Sequence, residues 1–319
     1  MMRSKIPYPR LSSPLILAPM AGVTNVAYRI LCKRMGAGIC YTEFLSADAL
    51  IRYKGAHDNP IFDVVEEERP VVTQIFGEDR EKILEAAEFL VGKTDVIDFN
   101  IGCPAPKVLA CGGGAALLRD PQKVQDILEA LNTLPTPITC KIRLGIDEHH
   151  IVALDIARIA EKAGCAAIAV HPRTQKQGYS GTADWSYIKK IKEAVSIPVI
   201  GNGDIQTVQD VARMLQETNC DYVMVGRAAM KDPFFFQKAN HYLATGNILE
   251  DISFAEKLRL LQDYISLLKK YDVYNDVVVK QTLVQFTKGY KGASKLRAEL
   301  STAKSDEIFE KIALLVAEG

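Results

Sequence analysis

Residues 197–227, IPVIGNGDIQTVQDVARMLQETNCDYVMVGR, hold two apolar runs with a helical pattern between them. The runs at 197–203 and 222–227 are nearly continuously apolar, which is typical of strands buried on both faces of a parallel sheet. Between them, residues 206–218 carry apolar side chains at a spacing of three to four, which predicts an amphipathic helix. The stretch is therefore predicted to form one strand–helix–strand unit.

Similar apolar runs precede this unit along most of the chain. The predicted strands are residues 15–21, 39–44, 71–77, 96–102, 138–145, 166–172, 197–203 and 222–227. Apolar spacing predicts further helices at 79–92 and 149–163. The Asp-Pro pairs at 120–121 and 232–233 predict two more helix starts, because each places a capping carboxylate before a proline. Eight strand–helix units indicate a parallel (β/α)8 barrel, with a doubly wound open sheet as the alternative that the strand count alone leaves open.

The alternation of strands and helices ends near Gly246. The stretch SFAE at 253–256 has the form of a capping box, in which a serine and a later glutamate bond each other's backbone N–H groups. The apolar face that follows consists of Leu258, Leu261, Ile265 and Leu268. We therefore predict two domains, a barrel over residues 1–245 and a small helical bundle over residues 246–319.

The charge balance and the cysteine content limit the partners and the cellular compartment that we expect for the protein. Lysine and arginine total 39, equal to the 39 aspartates and glutamates, so any nucleic acid must bind a local basic patch. The 7 cysteines include no C-x-x-C pair, which favours free thiols in a reducing compartment. No apolar run approaches the ~18 residues of a membrane span, and the N-terminus lacks a signal-peptide core. We expect a cytoplasmic protein without a membrane segment or bound metal; the oligomeric state is not readable, and a monomer is the working expectation.

Polar and small residues stand at the carboxyl ends of the predicted strands, where the catalytic loops of such a barrel meet at one rim. They are Pro19, Met20, Ala21, Glu43, Gln74, Asn100, Cys103, Lys141, Arg143, His171, Arg173, Asn202, Gly203, Asp204, Gly226 and Arg227. Capping or loop solubility explains any one of these residues, but it explains the whole set poorly. The set therefore predicts an active site on this rim.

The loops after the last two predicted strands suit a phosphate group. They read GNGDI at 201–205 and GRAA at 226–229, so a phosphate can approach the backbone N–H groups closely, and Arg227 adds positive charge. In barrels of this kind these two loops commonly form a phosphate site. Two tight turns without a ligand are the alternative interpretation.

Lys141 and His171 end two neighbouring predicted strands. A fixed positive charge at this position would stabilise the anion of a reduced flavin. Gln74 would hydrogen-bond the pyrimidine part of the same ring. An ion pair with Glu43 is the alternative role for Lys141. Together with the phosphate loops, these residues predict a flavin site.

Cys103 differs from the other cysteines in its surroundings. It lies in the turn NIGCP at 100–104, directly after a predicted strand, whereas the others lie in apolar segments. A thiol on the rim can be a nucleophile, a ligand or a proton donor. No second cysteine or histidine stands at a metal-binding spacing from it. We interpret Cys103 as a general acid.

Taken together, these motifs resemble those of the tRNA-dihydrouridine synthase family. The matching stretches are PMAGVTNVAYR at 19–29, DFNIGCPAPKV at 98–108, KIRLG at 141–145, HPRT at 171–174, IGNGDI at 200–205, GRAAMKDP at 226–233 and GASKLR at 292–297. They follow the family's order and spacing across the barrel and into the tail. The resemblance departs in LACGGGAALL at 109–118, where many relatives carry a more polar stretch and where Cys111 adds a second thiol.

The resemblance implies an FMN-dependent oxidoreductase that reduces the C5–C6 double bond of uridine in tRNA, with NADPH or NADH as reductant. The implied FMN contacts are Pro19, Met20, Ala21, Gln74, Lys141, His171, Asn202, Gly203, Asp204, Gly226 and Arg227. Asn100, Arg143 and Arg173 are implied in substrate binding, and Cys103 in the protonation of C5. The uridine position that is reduced does not follow from the resemblance.

A basic stretch in the tail is the candidate tRNA footprint. Residues 280–304 contain six basic residues against one acidic residue, Glu299. The predicted tRNA contacts are Lys288, Lys291, Lys295 and Arg297. Such a patch would track phosphates, with a solvated helical face as the alternative.

Two other functions remain open at this point. A flavin barrel that acts on a free small molecule, as a dihydroorotate dehydrogenase does, would share the rim but would not need the basic tail. A tRNA-binding protein that has lost catalysis would not need a rim thiol, whereas Cys103 is present. Bound flavin and dihydrouridine formation discriminate among the three functions.

Overall fold

The computed structural model describes residues 6–53 and 64–288. It also describes the single positions Ser294, Arg297, Ala298, Glu307, Glu310 and Ile312. The strands in these residues are β1 (Leu15–Leu17), β2 (Ile39–Tyr41), β3 (Leu45–Ser46), β4 (Val71–Phe76), β5 (Val96–Ile101), β6 (Ile138–Arg143), β7 (Ala167–His171), β8 (Val199–Asn202) and β9 (Tyr222–Val225). The helices are α1 (Val26–Arg34), α2 (Ala47–Arg52), α3 (Arg80–Leu90), α4 (Pro106–Ala110), α5 (Pro121–Leu131), α6 (Ala153–Ala163), α7 (Ser186–Ala194), α8 (Val208–Thr218), α9 (Arg227–Lys231), α10 (Phe235–Thr245), α11 (Phe254–Lys270) and α12 (Asp276–Phe286).

All the strands except β3 form a closed parallel barrel. β1 pairs with β9 on one side and with β2 on the other, and β2 pairs with β4, so these strands leave no free edge. β3 only extends the sheet beside the carboxyl end of β4, where Leu45 pairs with Ile75. The predicted (β/α)8 barrel is confirmed, and the open-sheet alternative is wrong.

The strands are apolar because both of their faces are covered. In β1, Leu15, Ile16 and Leu17 are all fully buried. Ile16 belongs to a cluster inside the barrel with Tyr41 and Met224, whereas Leu15 and Leu17 pack outward against the helices. Several strands end earlier than predicted, since the residues after them turn into the loops of the rim.

The helix starts follow the sequence signals at some positions and depart at others. α5 begins as predicted, with Pro121 first and with the Asp120 carboxylate accepting the Lys123 backbone N–H at 3.0 Å. α6 begins at Ala153 rather than at residue 149. The residues before it form a turn instead, which a bridge from Gly145 to Ile151 closes.

The second predicted Asp-Pro helix start is displaced by two residues, although the Asp232 carboxylate accepts the Phe234 backbone N–H at 3.1 Å as a capping carboxylate would. α10 begins at Phe235, and Asp232 instead ends α9. The Asp232 carboxylate accepts hydrogen bonds from the ammonium groups of Lys257 and Lys238. Because Lys257 lies on α11 and is almost fully buried, this aspartate joins the barrel to the helical tail.

The tail begins with the predicted capping box. Ser253 Oγ accepts the Glu256 backbone N–H at 3.2 Å, and Glu256 Oε2 accepts the Ser253 N–H at 2.8 Å. The predicted apolar face of α11 is buried, from Leu258 to Leu268. The described part of the tail contains no strand.

α11 packs against α1 of the barrel. The rings of Tyr28 and Tyr264 meet edge to face with centroids 5.6 Å apart. Asn25 Nδ2 also donates to the Tyr264 hydroxyl at 2.9 Å. The division into two domains at residues 245 and 246 stays a prediction.

Ser253→Ala is expected to lower the free energy of unfolding by about 1 kcal/mol, because an exposed N-cap loses its hydrogen bond. Ser266→Ala on the exposed side of the same helix is the matched control, and we expect a change within about 0.5 kcal/mol. Urea unfolding curves measure both values. Equal effects of the two substitutions would contradict the capping role.

None of the described helices is long and apolar enough to cross a membrane. All 7 cysteines are free thiols. Among the described residues, no group of three or more histidines, cysteines and carboxylates is placed to hold a metal ion. The cytoplasmic location and the monomeric state stay predictions.

Candidate functional site

A cleft of about 570 Å³ opens at the carboxyl ends of the strands. Its lining includes nine of the eleven predicted cofactor residues: Pro19, Met20, Lys141, His171, Asn202, Gly203, Asp204, Gly226 and Arg227. The two others, Ala21 and Gln74, lie outside this lining; Ala21 is exposed and Gln74 is buried below the rim. The structure thus brings most of the predicted set together, while its role as a cofactor site stays a prediction.

Lys141 supplies a positive charge to the cleft without an ion-pair partner among the described residues. Its ammonium group forms no hydrogen bond or ion pair within the described residues, although the side chain is half-buried. Burial and the neighbouring Arg143 guanidinium lower the pKa of Lys141 to about 8. The alternative partner, Glu43, instead accepts the Gly22 backbone N–H at 2.6 Å. The Asp98 carboxylate acts on Lys141 electrostatically, but no described carboxylate forms an ion pair with it, so an anion in the cleft would find its ammonium group available.

His171 is a neutral hydrogen-bonding group rather than a second cation. Burial and the charges of Lys141 and Arg143 hold the pKa of His171 far below its usual range. Arg173 Nη1 lies 3.2 Å from His171 Nε2. Because a guanidinium only donates, Nε2 accepts and the ring proton resides on Nδ1. Of the pair Lys141 and His171, only Lys141 thus carries a positive charge.

Asp204 ties two arginines to the last loops of the rim. Its carboxylate accepts from Arg173 Nη2 at 2.7 Å, from Arg227 Nη2 at 3.0 Å and from the Ala183 N–H at 2.7 Å. Partial burial would raise the pKa of Asp204, but the Ala183 N–H and the two arginines outweigh burial and lower it. The backbone is also tight here, because Gly203 has φ +121° and a Cβ on it would lie 2.9 Å from the Ala183 Cβ.

Arg173 and Arg143 brace the long loop between β7 and α7. Arg173 is 2% exposed, and it donates to the carbonyls of Ser180 at 3.1 Å and Gly181 at 2.7 Å. Arg143 Nη1 donates to the carbonyls of Thr174 and Gly178 at 2.9 and 2.7 Å. Among the described residues, Arg143 Nε and Nη2 have no partner, so this arginine keeps donors for a ligand. The substrate roles of both arginines stay predictions.

Cys103 is held at the start of the loop after β5. Asn100 Oδ1 accepts the backbone N–H of Gly102 at 3.1 Å and that of Cys103 at 2.9 Å. The Cys103 carbonyl accepts the Ala115 N–H at 3.0 Å. Burial raises the pKa of the half-buried Cys103 thiol, so the thiol keeps its proton at neutral pH. The second thiol, Cys111, is exposed and donates to the Val108 carbonyl at 3.1 Å.

Comparison with known proteins gives this arrangement a family. A model of the dihydrouridine synthase (Dus) family matches residues 16–316. The chain belongs to the dihydrouridine synthase family. The resemblance drawn from the sequence motifs is therefore confirmed.

Curated members of the family match most of the chain. The tRNA-dihydrouridine synthase B of Xanthomonas campestris pv. campestris is 39% identical over 298 residues, covering 92% of this chain and 89% of that protein. The tRNA-dihydrouridine synthase B of Shewanella oneidensis is 40% identical over 278 residues, covering 85% and 83%. The probable tRNA-dihydrouridine synthase of Aquifex aeolicus is 37% identical over 300 residues, covering 91% and 92%.

Among solved structures, a histamine dehydrogenase from Rhizobium sp. 4-9 superposes with a TM-score of 0.56 at 13% identity. The match covers 81% of this chain and 49% of that chain. At this level of identity the similarity shows the barrel fold alone.

Two residues of this dihydrouridine synthase family member, Tyr179 and Asp98, were not predicted from the sequence. Tyr179, 63% exposed, lines the cleft from the β7–α7 loop, and its ring lies 5.6 Å from the Arg143 guanidinium and 5.2 Å from that of Arg227. The length of the β7–α7 loop was the feature of the sequence that could have pointed to Tyr179. Asp98 is fully buried in the middle of β5. A carboxylate within the apolar run VIDFNI was the available signal there.

The basic tail is described only in part. Lys288 is exposed at the end of α12. Arg297 Nη1 donates to the Thr287 carbonyl and hydroxyl, each at 3.2 Å, so it caps that helix. Lys291 and Lys295 lie outside the described residues. The tRNA footprint therefore stays a prediction for this family member.

Proposed function

We propose that this protein reduces uridine in tRNA to dihydrouridine, using FMN as the bound cofactor and NADPH or NADH as the reductant. Family membership supports the reaction class, and the relatives named tRNA-dihydrouridine synthase support the substrate. The observation that carries the cofactor assignment is the half-buried ammonium of Lys141, which faces the cleft without a partner among the described residues.

The residues around the cleft fit a flavin mononucleotide. Lys141 would face the part of the flavin ring that becomes anionic on reduction. His171, neutral and with its proton on Nδ1, offers a hydrogen-bond donor. Gly203 and Gly226 keep side chains away from the backbone near Arg227, where the phosphate would bind. Gln74 would act from below the cleft, through the second N–H of its side-chain amide.

The chain's own residues would handle the uracil ring and its proton. When bound, the reduced flavin supplies the hydride that C6 of uracil accepts. Cys103 gives its thiol proton to C5, so the ring gains one hydride and one proton and the double bond becomes single. The positive charges of Lys141 and Arg143 favour the thiolate that remains.

Substrate binding would use the donors that the fold leaves free. Arg143 Nε and Nη2 and the second N–H of the Asn100 amide would hold the uracil carbonyls and stabilise charge that develops on them. A uridine must leave its stack to reach a cleft of this kind. The proposed reaction therefore requires that tRNA binds over the rim with one nucleotide extruded.

The proposal is tested by the absorption spectrum of the purified protein and by an assay on unmodified tRNA. We expect a bound flavin spectrum, consumption of nicotinamide cofactor and dihydrouridine in the tRNA. A protein that takes up no added FMN would contradict the cofactor. Flavin reduction without any tRNA product would favour the small-molecule oxidoreductase, and flavin-free tRNA binding would favour the noncatalytic protein.

Neutralising Lys288, Lys291 and Lys295 to glutamine is expected to weaken tRNA binding and to flatten its salt dependence. Each lost phosphate contact reduces the slope of log K against log salt by roughly 0.7–0.9, so the total reduction is about 2 to 3 if all three contact phosphates. Arg297 is left in place because it caps α12 at Thr287. Binding titrations across a salt series measure the slopes.

The matched control neutralises Lys162, Lys189 and Lys190, which are exposed on α6 and α7. This variant has the same net charge as the tail variant, and its salt slope is expected to stay at the wild-type value. Flavin content should be unchanged in both. Equal slopes in all three proteins would remove the tail from the tRNA interface.

A further inference from the structure

A chain of polar side chains runs through the barrel beneath the cleft. The Thr139 hydroxyl donates to Asp98 Oδ1 at 2.6 Å, and Gln74 Nε2 donates to Asp98 Oδ2 at 2.8 Å. Asn100 Nδ2 then donates to Gln74 Oε1 at 2.8 Å. The chain ends where Asn100 Oδ1 accepts the backbone N–H groups of residues 102–103, at 3.1 and 2.9 Å. One connected set of hydrogen bonds thus joins Asp98 to the loop of the rim thiol.

The members of this chain are shielded from solvent. Thr139, Asp98 and Gln74 are 0% exposed, and Asn100 is 5% exposed. Buried polar groups need partners within the protein, because leaving one unpaired costs its full desolvation. The orientation of each amide is therefore dictated by its neighbours rather than by water.

The Asp98 carboxylate determines which side-chain groups donate and which accept along this series of hydrogen bonds. Burial raises the pKa of Asp98 to about 6, against the lowering effects of Thr139, Gln74 and Lys141, so the group is mostly ionised at neutral pH. An ionised carboxylate only accepts hydrogen bonds. Gln74 must turn its NH2 group towards Asp98, and its oxygen then requires the NH2 group of Asn100. The Asn100 oxygen is thereby directed to the loop.

We propose that Asp98 is a positioning residue that sets the orientation of the Gln74 and Asn100 amides and, through them, the loop that carries Cys103. The hydrogen-bonded chain stands on the contacts above. Only its catalytic meaning rests on the proposed function, in which Cys103 protonates the substrate and Gln74 faces the cofactor.

Exchanging the acceptor between the two ends of the chain tests this role. In Asn100→Asp, the carboxylate oxygen that replaces the NH2 group faces the Gln74 oxygen, because Gln74 keeps its NH2 group on Asp98. The repulsion between these oxygens displaces the side chain at position 100 and loosens its bonds to the loop. In the double variant Asp98→Asn/Asn100→Asp, the new carboxylate at position 100 accepts both the loop N–H groups and the turned Gln74 amide. The new amide at position 98 then donates to the Gln74 oxygen. The two bonds made by Gln74 are restored with reversed polarity, and the bonds from Thr139 and from the loop N–H groups keep their direction.

The readouts are alkylation of Cys103 by iodoacetamide in the apoprotein and the Kd for FMN. Peptide mass spectrometry separates Cys103 from Cys111. We expect Asn100→Asp to change both quantities by about tenfold, the size of coupling seen within one hydrogen-bond network, with faster alkylation and weaker FMN binding. The double variant should return the alkylation rate to within about threefold of the wild type. FMN binding should stay weak, because the turned Gln74 amide no longer offers its N–H to the cofactor.

Two controls separate the chain from simple charge repulsion. Thr139→Val removes one bond to Asp98 but keeps its carboxylate and its bond to Gln74, so alkylation should stay near the wild-type rate. In a Gln74→Met background the series of hydrogen bonds between residues 98 and 100 is interrupted. Asp98→Asn should then no longer reverse the effect of Asn100→Asp on alkylation. A reversal that persists there would mean repulsion alone and would overturn the proposal.

The double variant decides the remaining outcomes. A double variant that is as reactive as Asn100→Asp, or more reactive, overturns the positioning role. If Asn100→Asp does not fold, a folded double variant supports the role and an unfolded one contradicts it. These results are independent of the proposed function, whose failure would appear as absent dihydrouridine in the wild-type assay.

Discussion

Replacing Cys103 with alanine is expected to slow dihydrouridine formation by about 10²–10⁴-fold, the usual contribution of a positioned general acid. Burial keeps the pKa of this thiol above its ordinary value, so the wild-type group carries a proton to give. FMN content and oxidation of the nicotinamide cofactor should stay near the wild-type level, because the thiol acts only on the uracil ring. Single-turnover reaction of the reduced enzyme with tRNA measures the affected step.

Cys111→Ala is the matched control for this variant. Cys111 lies eight positions further along the same loop region, but it is exposed and bonded to the Val108 carbonyl. We expect the same step to proceed at close to the wild-type rate. An essential Cys111 with a dispensable Cys103 would show that the proton donor has been assigned to the wrong thiol.

Lys141→Met is expected to weaken the binding of reduced FMN by at least about 30-fold, because the reduced ring is the anionic partner of Lys141 and truncating one partner of a desolvated charge pair costs about 2–5 kcal/mol. Methionine keeps the unbranched apolar stem and removes the charge. The Kd of the apoprotein for oxidised FMN, combined with the reduction potential of the bound FMN, gives the Kd for reduced FMN. Wild-type affinity in this variant would mean that Lys141 does not face the cofactor.

The pH dependence of the affinity for reduced FMN provides a second readout on the same residue. The pKa of Lys141 in the free protein is about 8, and only the protonated amine attracts an anion. Wild-type affinity should therefore fall as the pH rises from about 7 to 9, relative to Lys141→Met, in which this titration is absent. Lys141→Arg stays charged over this range and should lack the same relative fall.

The fold was predictable from the sequence because strands that are buried on both faces consist of nearly continuous apolar residues. β5, β6 and β7 lie at the predicted places, whereas the strand count left the closure of the barrel open, and the pairing of β1 with β9 shows it. The strand ends also located the rim, since carboxyl ends of parallel strands meet on one side. Nine of the predicted cofactor residues line one cleft for this reason.

What the sequence did not reveal was the direction of individual side chains. Gln74 and Arg173 stand at strand ends like their neighbours, yet one is turned to Asp98 and the other to the carbonyls of its own loop. Asp232 has the local form of a helix cap and accepts the Phe234 N–H, but it also pairs with two lysines, one of them from a distant helix. These choices depend on partners remote in sequence, which propensity and spacing do not encode.

The seam between β1 and β9 has a consequence for biosynthesis. Leu17 pairs with Val225, so the cleft joins residues 18–20 to residues 226–227 across most of the barrel sequence. Residues 18–20 leave the ribosome before residues 226–227, and chains grow at about 5–20 residues per second. Until β9 emerges, β1 has one unpaired edge and the cofactor has no complete place to bind. A nascent chain stalled before residue 222 should therefore retain no flavin, and flavin uptake by ribosome-bound chains would report the moment at which the barrel closes.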